Sequence, residues 1–163
     1  MDLLKKAVTG IIILLCFPLL SSAQVRPVFQ INYDRIENGI KSEAGVSIVY
    51  HDQLVYLYKA TDKIQQFIDY KRNEIVNIMQ FENAAYKNIL PFSELPEPVF
   101  GGNITDILGY SCKYATYNYF SNKIEVWYTT AAPAKGSPYA SFLPEKDALA
   151  LKVVINGNRE IVA

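Results

Sequence analysis

A continuous apolar run opens the chain, and short segments in which apolar and polar residues alternate follow it. Between residues 28 and 36, phenylalanine, isoleucine and tyrosine alternate with glutamine, asparagine and aspartate. An alternation of period two is typical of a strand with one buried face, because successive side chains of a strand point to opposite sides. The pattern therefore predicts a β-rich domain after the apolar run.

Similar segments recur at short spacing, with turn residues between them. After the first strand and a connection at residues 37–43, the predicted strands are 46–50, 54–58, 65–70, 74–81, 84–90, 104–120, 123–130 and 146–155. A helix over residues 62–79 is the alternative for one pair, but its isoleucines and valine favour strands. Proline-rich segments at 91–102 and 130–146 predict loops. We expect an all-β or β-rich α+β fold, a strongly curved antiparallel sheet.

The stretch from Ile104 to Thr130 has the densest aromatic content and predicts the best-defined strand pair. Near the other end of the chain, Asn156-Gly157 is the strongest signal for a short hairpin turn. The second arm of that hairpin has only about four residues before Ala163, which would leave the preceding strand partly unpaired. We therefore expect that the natural protein has further C-terminal strands.

The apolar run belongs to a predicted signal peptide, residues 1–23. Two lysines precede the run, residues 11–20 form its apolar part, and small residues up to Ala23 form a cleavage site. A membrane-spanning helix would need about 20 apolar residues, so that alternative is less favoured. Lipid attachment at Cys16 is rejected because the bulky Leu15 precedes it. The sequence predicts one domain at residues 24–163, exported to the periplasm or cell envelope.

Charge and cysteine content exclude several classes of protein. The full chain has 16 basic and 16 acidic residues, and removing Lys5, Lys6 and Asp2 with the leader leaves a net charge of −1. No excess of positive charge attracts nucleic acid or an anionic membrane. Cys112 is the one cysteine left in the predicted mature chain, which excludes an internal disulfide and a cysteine-rich metal site.

No residue pattern predicts catalysis, a metal or a cofactor. His51 beside Asp52 lacks a nucleophile motif such as G-x-S-x-G, so a solvent-exposed turn histidine is favoured. Cys112 is expected to be a small buried hydrophobic residue rather than a reactive thiol. Asp69 and Glu74 could face each other as an acid pair, but a charged rim is the simpler interpretation. We expect a protein that is not an enzyme.

Aromatic side chains on both faces of the predicted strands are the unusual feature. Such residues suit a surface for an apolar or amphiphilic ligand. Packing across a sheet buried on both sides is the alternative, and it is favoured. If a ligand binds, the first contacts expected are Tyr114, Trp127 and Tyr128.

One pattern resembles a known family. Residues 107–115 read ILGYSCKYA, residues 127–129 read WYT, and a proline-rich loop with Pro133 follows. This order is similar to that of the GLPGLI family, secreted Bacteroidota proteins without an assigned activity. The resemblance implies an exported cell-envelope protein whose sheet is a half-barrel similar to lipoprotein-carrier folds.

Two hypotheses follow. In the first, the protein is a noncatalytic binding module that holds a lipid-like ligand on the concave face of its sheet. In the second, it is a structural or protein-interaction domain, the N-terminal part of a longer surface protein, whose sheet edge pairs with a partner.

Overall fold

The computed structural model describes residues 26–59 and 63–163, so the predicted signal peptide lies outside the described residues. Within them the chain forms eleven strands. In chain order they are β1 Phe29–Glu37, β2 Ile40–His51, β3 Leu54–Lys59, β4 Ile64–Asp69, β5 Glu74–Phe81, β6 Ala84–Pro91, β7 Val99–Ile107, β8 Tyr110–Tyr119, β9 Asn122–Thr129, β10 Leu149–Ile155 and β11 Arg159–Val162. A short 3-10 helix, Phe92–Glu94, follows β6. The predicted all-β class is confirmed. β4 and β5 lie in the region for which a helix was the alternative, so the strand prediction is correct there.

All eleven strands belong to one antiparallel sheet with the order β6-β5-β4-β3-β2-β1-β11-β10-β9-β8-β7. The sheet therefore consists of two meanders, β1 to β6 and β7 to β11. Pairing of β11 with β1 joins them in the centre. The edge strands are β6 and β7.

The sheet bends strongly because its two edge strands are consecutive in the chain. From Pro91 to Val99 the chain can span at most about 28 Å. The edges of a flat sheet of this size would lie roughly 48 Å apart at a strand spacing of about 4.8 Å. The sheet must therefore curl. The core agrees with this, because one buried cluster contains Ile68 of β4, Cys112 of β8 and Leu151 of β10. β6 and β7 do not pair, so the sheet remains an open half-barrel.

Turn residues explain two differences from the predicted strands. Asn38 and Gly39 both adopt positive φ angles, 50° and 79°, which makes a tight hairpin between β1 and β2. The connection expected at residues 37–43 is therefore wrong, because most of it belongs to β2. Leu108 and Gly109 form a second turn of this kind, with φ angles of 52° and 79°. The strand expected at 104–120 is thereby divided between β7 and β8.

The predicted Asn156-Gly157 hairpin is present and joins β10 to β11. β11 pairs with β10 on one side and with β1 on the other, and the amide of Ala163 donates to the carbonyl oxygen of Leu151 at 2.9 Å. The short arm thus lies inside the sheet and does not expose β10 as an edge.

Residues 130–148, which we call the inner loop, connect β9 to β10 and pack into the interior of the curved sheet. Loops usually run over the surface, because buried backbone polar groups need partners. Here the amide of Gly136 donates to the carbonyl oxygen of Ala148, and the carbonyl oxygen of Gly136 accepts from the amide of Ala150, both at 2.9 Å. The inner loop contributes Ala140 to one core cluster and Phe142 to the other, so it unites the two halves of the core.

Candidate functional site

The concave face of the sheet, where a ligand was expected, is occupied by the inner loop. Gly136 crosses β2 and β3 so closely that a Cβ atom added there would lie 3.2 Å from Ile48 Cδ1 and from Val55 Cγ1. Both of those side chains are fully buried. The middle of the concave face therefore holds this protein's own backbone rather than an open groove.

A buried lysine anchors the inner loop to the wall of the half-barrel. Lys135 Nζ lies 3.1 Å from Asp147 Oδ1 and 4.2 Å from the centre of the Tyr70 ring. Its side chain is only 10% exposed, whereas that of Asp147 is 75% exposed. The Tyr70 hydroxyl is buried without a hydrogen-bond partner among the described residues, and burial raises its pKa. The contacts explain how a charged side chain is tolerated in the interior.

Two of the three predicted ligand contacts lie together. Tyr114 and Trp127 are paired across β8 and β9, and their ring centres are 5.0 Å apart. The Tyr114 hydroxyl donates to Glu125 Oε1 at 2.5 Å, and Lys152 Nζ lies 5.4 Å from the centre of the Trp127 ring. Burial and the Glu125 carboxylate raise the pKa of Tyr114 to about 12, so its hydroxyl remains a donor at neutral pH. Both rings are half-buried.

Tyr128 lies on the opposite face from this pair and is fully buried. Its hydroxyl donates to Glu145 Oε1 at 2.7 Å, and the same oxygen accepts from Lys113 Nζ at 3.0 Å. The hydrogen bond from Tyr128 lowers the pKa of Glu145, and Lys113 adds to that effect. Tyr128 therefore fastens the inner loop to β9 and has no surface to offer a ligand.

The residues considered for catalysis lie near one another at one end of β2 to β5. Asp69 and Glu74 are cross-strand partners, and Arg72 lies 3.9 Å and 3.7 Å from their carboxylate oxygens, so they form a charged rim. His51 is exposed at the end of β2, and its neighbour Asp52 forms ion pairs with Arg26 and, at 3.1 Å, with Lys71 Nζ. Asp69 Oδ1 accepts from two backbone amides of its own turn. Within residues 26–59 and 63–163, no group of three or more histidine, cysteine, aspartate or glutamate residues is placed to hold a metal ion.

Cys112 is fully buried in the core cluster that joins the two halves of the sheet. Its Sγ atom donates to the carbonyl oxygen of Tyr110 at 3.4 Å. Burial raises the pKa of the thiol, which favours the unreactive protonated form. The placement agrees with a packing role.

A row of apolar side chains crosses the outer face of β2 to β6, with one residue on each strand. This outer row is Val49, Tyr56, Phe67, Val76 and Ile89. The members are paired in register, and the ring centres of the two aromatic residues are 5.1 Å apart. All five are exposed or half-buried, and they alternate along their strands with core residues. Sequence reasoning noted tyrosines in both phases of the alternation but did not identify this row.

No helix of the described residues is long and apolar enough to span a membrane.

A family model described as the N-terminal domain of N-glycanase peptide matches residues 31–163. Comparison with curated proteins gives no significant match. Two solved structures of PNGF-II, in space groups C2 and P21, superpose with TM-scores of 0.73 and 0.72 at 25% and 24% sequence identity. The match covers 83% of this chain but only 26% and 27% of the solved chains. This chain therefore spans about a quarter of their length.

These matches correct the predicted relationship to the GLPGLI family, which is wrong. The residues that suggested the GLPGLI family are ones that many β-hairpins require. Gly109 adopts a positive φ in the turn, and Cys112 fills a small buried site. Unrelated sheets share such demands, so a short pattern of this kind does not distinguish families. The family model instead covers nearly all of the described sheet, and the chain belongs to the family of the N-glycanase peptide N-terminal domain.

Proposed function

We propose that this chain is a noncatalytic interaction domain that forms the N-terminal part of a longer, exported protein of the N-glycanase type. The observation that carries the proposal is the asymmetry of the structural match, which includes most of this chain and about a quarter of the solved chains. The family is itself described as an N-terminal domain. The predicted signal peptide at residues 1–23 supports export.

The outer row is the surface that we assign to this interaction. An antiparallel sheet with one face on the core normally presents polar side chains on the other face. Here five adjacent strands each place an apolar side chain in one continuous line, with the exposed Leu54 and Tyr58 beside it. Contiguous apolar surface of this kind is typical of a protein contact.

The occupant that we propose for the outer row is the remaining part of the same polypeptide. In the solved chains roughly three quarters of the length lies beyond the matched region, so a second domain is available to cover the row. Contact within one chain needs no high intrinsic affinity, because the linker keeps the partner at a high effective concentration. The open edges β6 and β7 are the alternative contact, as a partner strand could extend the sheet there.

Hydroxyl-radical footprinting tests the assignment. The natural gene product, read past Ala163, is compared with the chain that ends at Ala163. Oxidation of Tyr56 and Phe67 is expected to be several-fold lower in the longer protein, because the second domain excludes solvent from the row. Phe120, which is 89% exposed on the β8–β9 turn, is the control and should be oxidised equally in both.

Three results would overturn the proposal. The first is equal oxidation of the outer row in both proteins. The second is a reading frame that stops directly after Ala163. The third is release of N-glycans from a denatured glycoprotein by the 163-residue chain alone, since the domain is proposed to have no catalytic site.

A further inference from the structure

A second feature, independent of the outer row, lies at the rim of the half-barrel. A cavity of about 380 Å³ opens where the inner loop reaches β3 and β4 on one side and β8 to β11 on the other. We call it the rim cavity. Its volume falls at the lower end of the range of roughly 300–1000 Å³ that is usual for small-molecule sites. Both halves of the sheet and the inner loop contribute side chains, so the cavity exists only in the folded domain.

Aromatic rings form one wall of the rim cavity. The rings of Tyr119 and Phe142 meet edge to face with centres 5.9 Å apart, and Tyr139 lies 6.4 Å from Phe142. Phe142 is held in place by Tyr117 at 5.2 Å. Tyr119 is 43% exposed, so part of its ring is available at the opening. The wall is thus a fixed aromatic surface with an accessible outer end.

Amide and basic side chains form the rest of the lining. Gln66 Nε2 donates to Asn77 Oδ1 at 2.7 Å, and Asn122 Oδ1 accepts from Asn156 Nδ2 at 2.8 Å. Each bond fixes its amide plane and leaves further donor or acceptor positions of that amide for a ligand.

Among the described residues, the charged side chains that line the rim cavity are Lys59 and Arg159, and Lys59 Nζ lies 5.2 Å from the centre of the Tyr139 ring. They come from β3 and β11, on different sides of the opening. The exposed Arg159 guanidinium therefore offers a ligand positive charge at the opening, which favours an anionic group.

We propose that the rim cavity binds a saccharide that carries a carboxylate. The apolar faces of a sugar ring stack on aromatic side chains, and its hydroxyl groups pair with amides that both donate and accept. The carboxylate pairs with Arg159, whose guanidinium offers two parallel donors. A lipid chain would leave the fixed amides unpaired. A neutral sugar would gain no attraction from the positive charge at the opening.

The proposal does not rest on the interaction domain or on the outer row. Titration of isotope-labelled protein from Gln24 onward with 3′-sialyllactose, followed by nuclear magnetic resonance, should shift the amide signals of residues 119–122 and 139–142. We expect a dissociation constant of about 1 mM, as for a small solvent-accessible site. Lactose, which has the same neutral part and no carboxylate, should bind at least about tenfold more weakly.

Variants separate binding from folding. Tyr119→Ala and Arg159→Ser both change exposed side chains, so the thermal midpoint should be close to that of the parent, and each should weaken 3′-sialyllactose binding by at least about tenfold. Tyr86→Ala removes a comparably exposed tyrosine on β6, remote from the lining of the rim cavity, and should leave binding unchanged. Absence of signal shifts, equal binding of lactose, or full binding by Tyr119→Ala would each overturn the proposal.

Discussion

Replacing Gly136 with alanine should destabilise the domain far more than a change of one methyl group on a loop normally does. Gly136 has a φ of 135°, a backbone conformation that residues with a side chain rarely adopt. The new Cβ atom would also lie 3.2–3.3 Å from the methyl groups of Ile48 and Val55. Both neighbours are fully buried, so they cannot move aside without disturbing the core.

The two effects have known magnitudes. A residue held in a disfavoured backbone region costs about 1–3 kcal/mol. Overpacking of a dense core costs about 1–3 kcal/mol more. A combined loss near 3 kcal/mol is a large part of the roughly 5–15 kcal/mol by which domains are stable. At about 2–4 °C per kcal/mol, the melting temperature should fall by roughly 6–12 °C.

Urea unfolding followed by tryptophan fluorescence and by circular dichroism measures this loss, with the slope of the transition compared between proteins. Gly102→Ala is the matched control, because Gly102 lies on exposed β7 and a Cβ atom there would meet nothing within 4 Å. It should change stability by less than about 1 kcal/mol. If both variants unfold at the same urea concentration, the inner loop does not pack against β2 and β3 as described.

Three further predictions concern the inner loop and the core. Tyr128→Phe should reduce the loss of stability in acid. The Tyr128 hydroxyl lowers the pKa of Glu145 in the folded state, so its hydrogen bond stabilises the fold above the usual carboxyl pKa. This stabilisation disappears as the pH falls from about 5 to 3. Urea midpoints at pH 7 and pH 3 measure it, and an unchanged difference between them would contradict the expectation. Asp147→Asn should cost about 1 kcal/mol in urea unfolding because it leaves the buried Lys135 without its carboxylate, and a fully stable variant would disprove this role. Ellman's reagent should modify Cys112 only in parallel with urea unfolding, so rapid labelling of the folded protein would show that the thiol is accessible.

The strands were predictable because their residues carry a local signal. Alternation at residues 28–36 and 74–81 corresponds to β1 and β5 within one residue, and Asn156-Gly157 forms the expected turn. The turn at Leu108 was missed because a leucine with positive φ has no local signature. Likewise, the burial of residues 130–148 depends on the opposite wall of the half-barrel, which lies some 80 residues earlier in the chain. A proline-rich composition alone indicates only an irregular segment.

The sequence predicted that exposed aromatic surfaces exist, but not which residues form them. Tyrosines in both phases of the alternation indicated that some aromatic side chains face away from the core, and Tyr56 does so. The outer row nevertheless depends on the register of five strands, which the turns between them set and the composition does not reveal. Similarly, adjacent residues of a strand point to opposite faces, so Trp127 and Tyr128 could not both contact the same ligand.

The position of β11 in the middle of the sheet has a consequence for how the domain is made. Residues 159–162 are synthesised after every other described strand, yet they form β11, which joins the two meanders by pairing with β1 and β10. Until these residues are in place, β1 and β10 each present an unsatisfied row of backbone groups, and the shared interior cannot close. The sheet is therefore completed only when its last strand is available, and until then its central hydrogen-bonding edges are open to wrong partners.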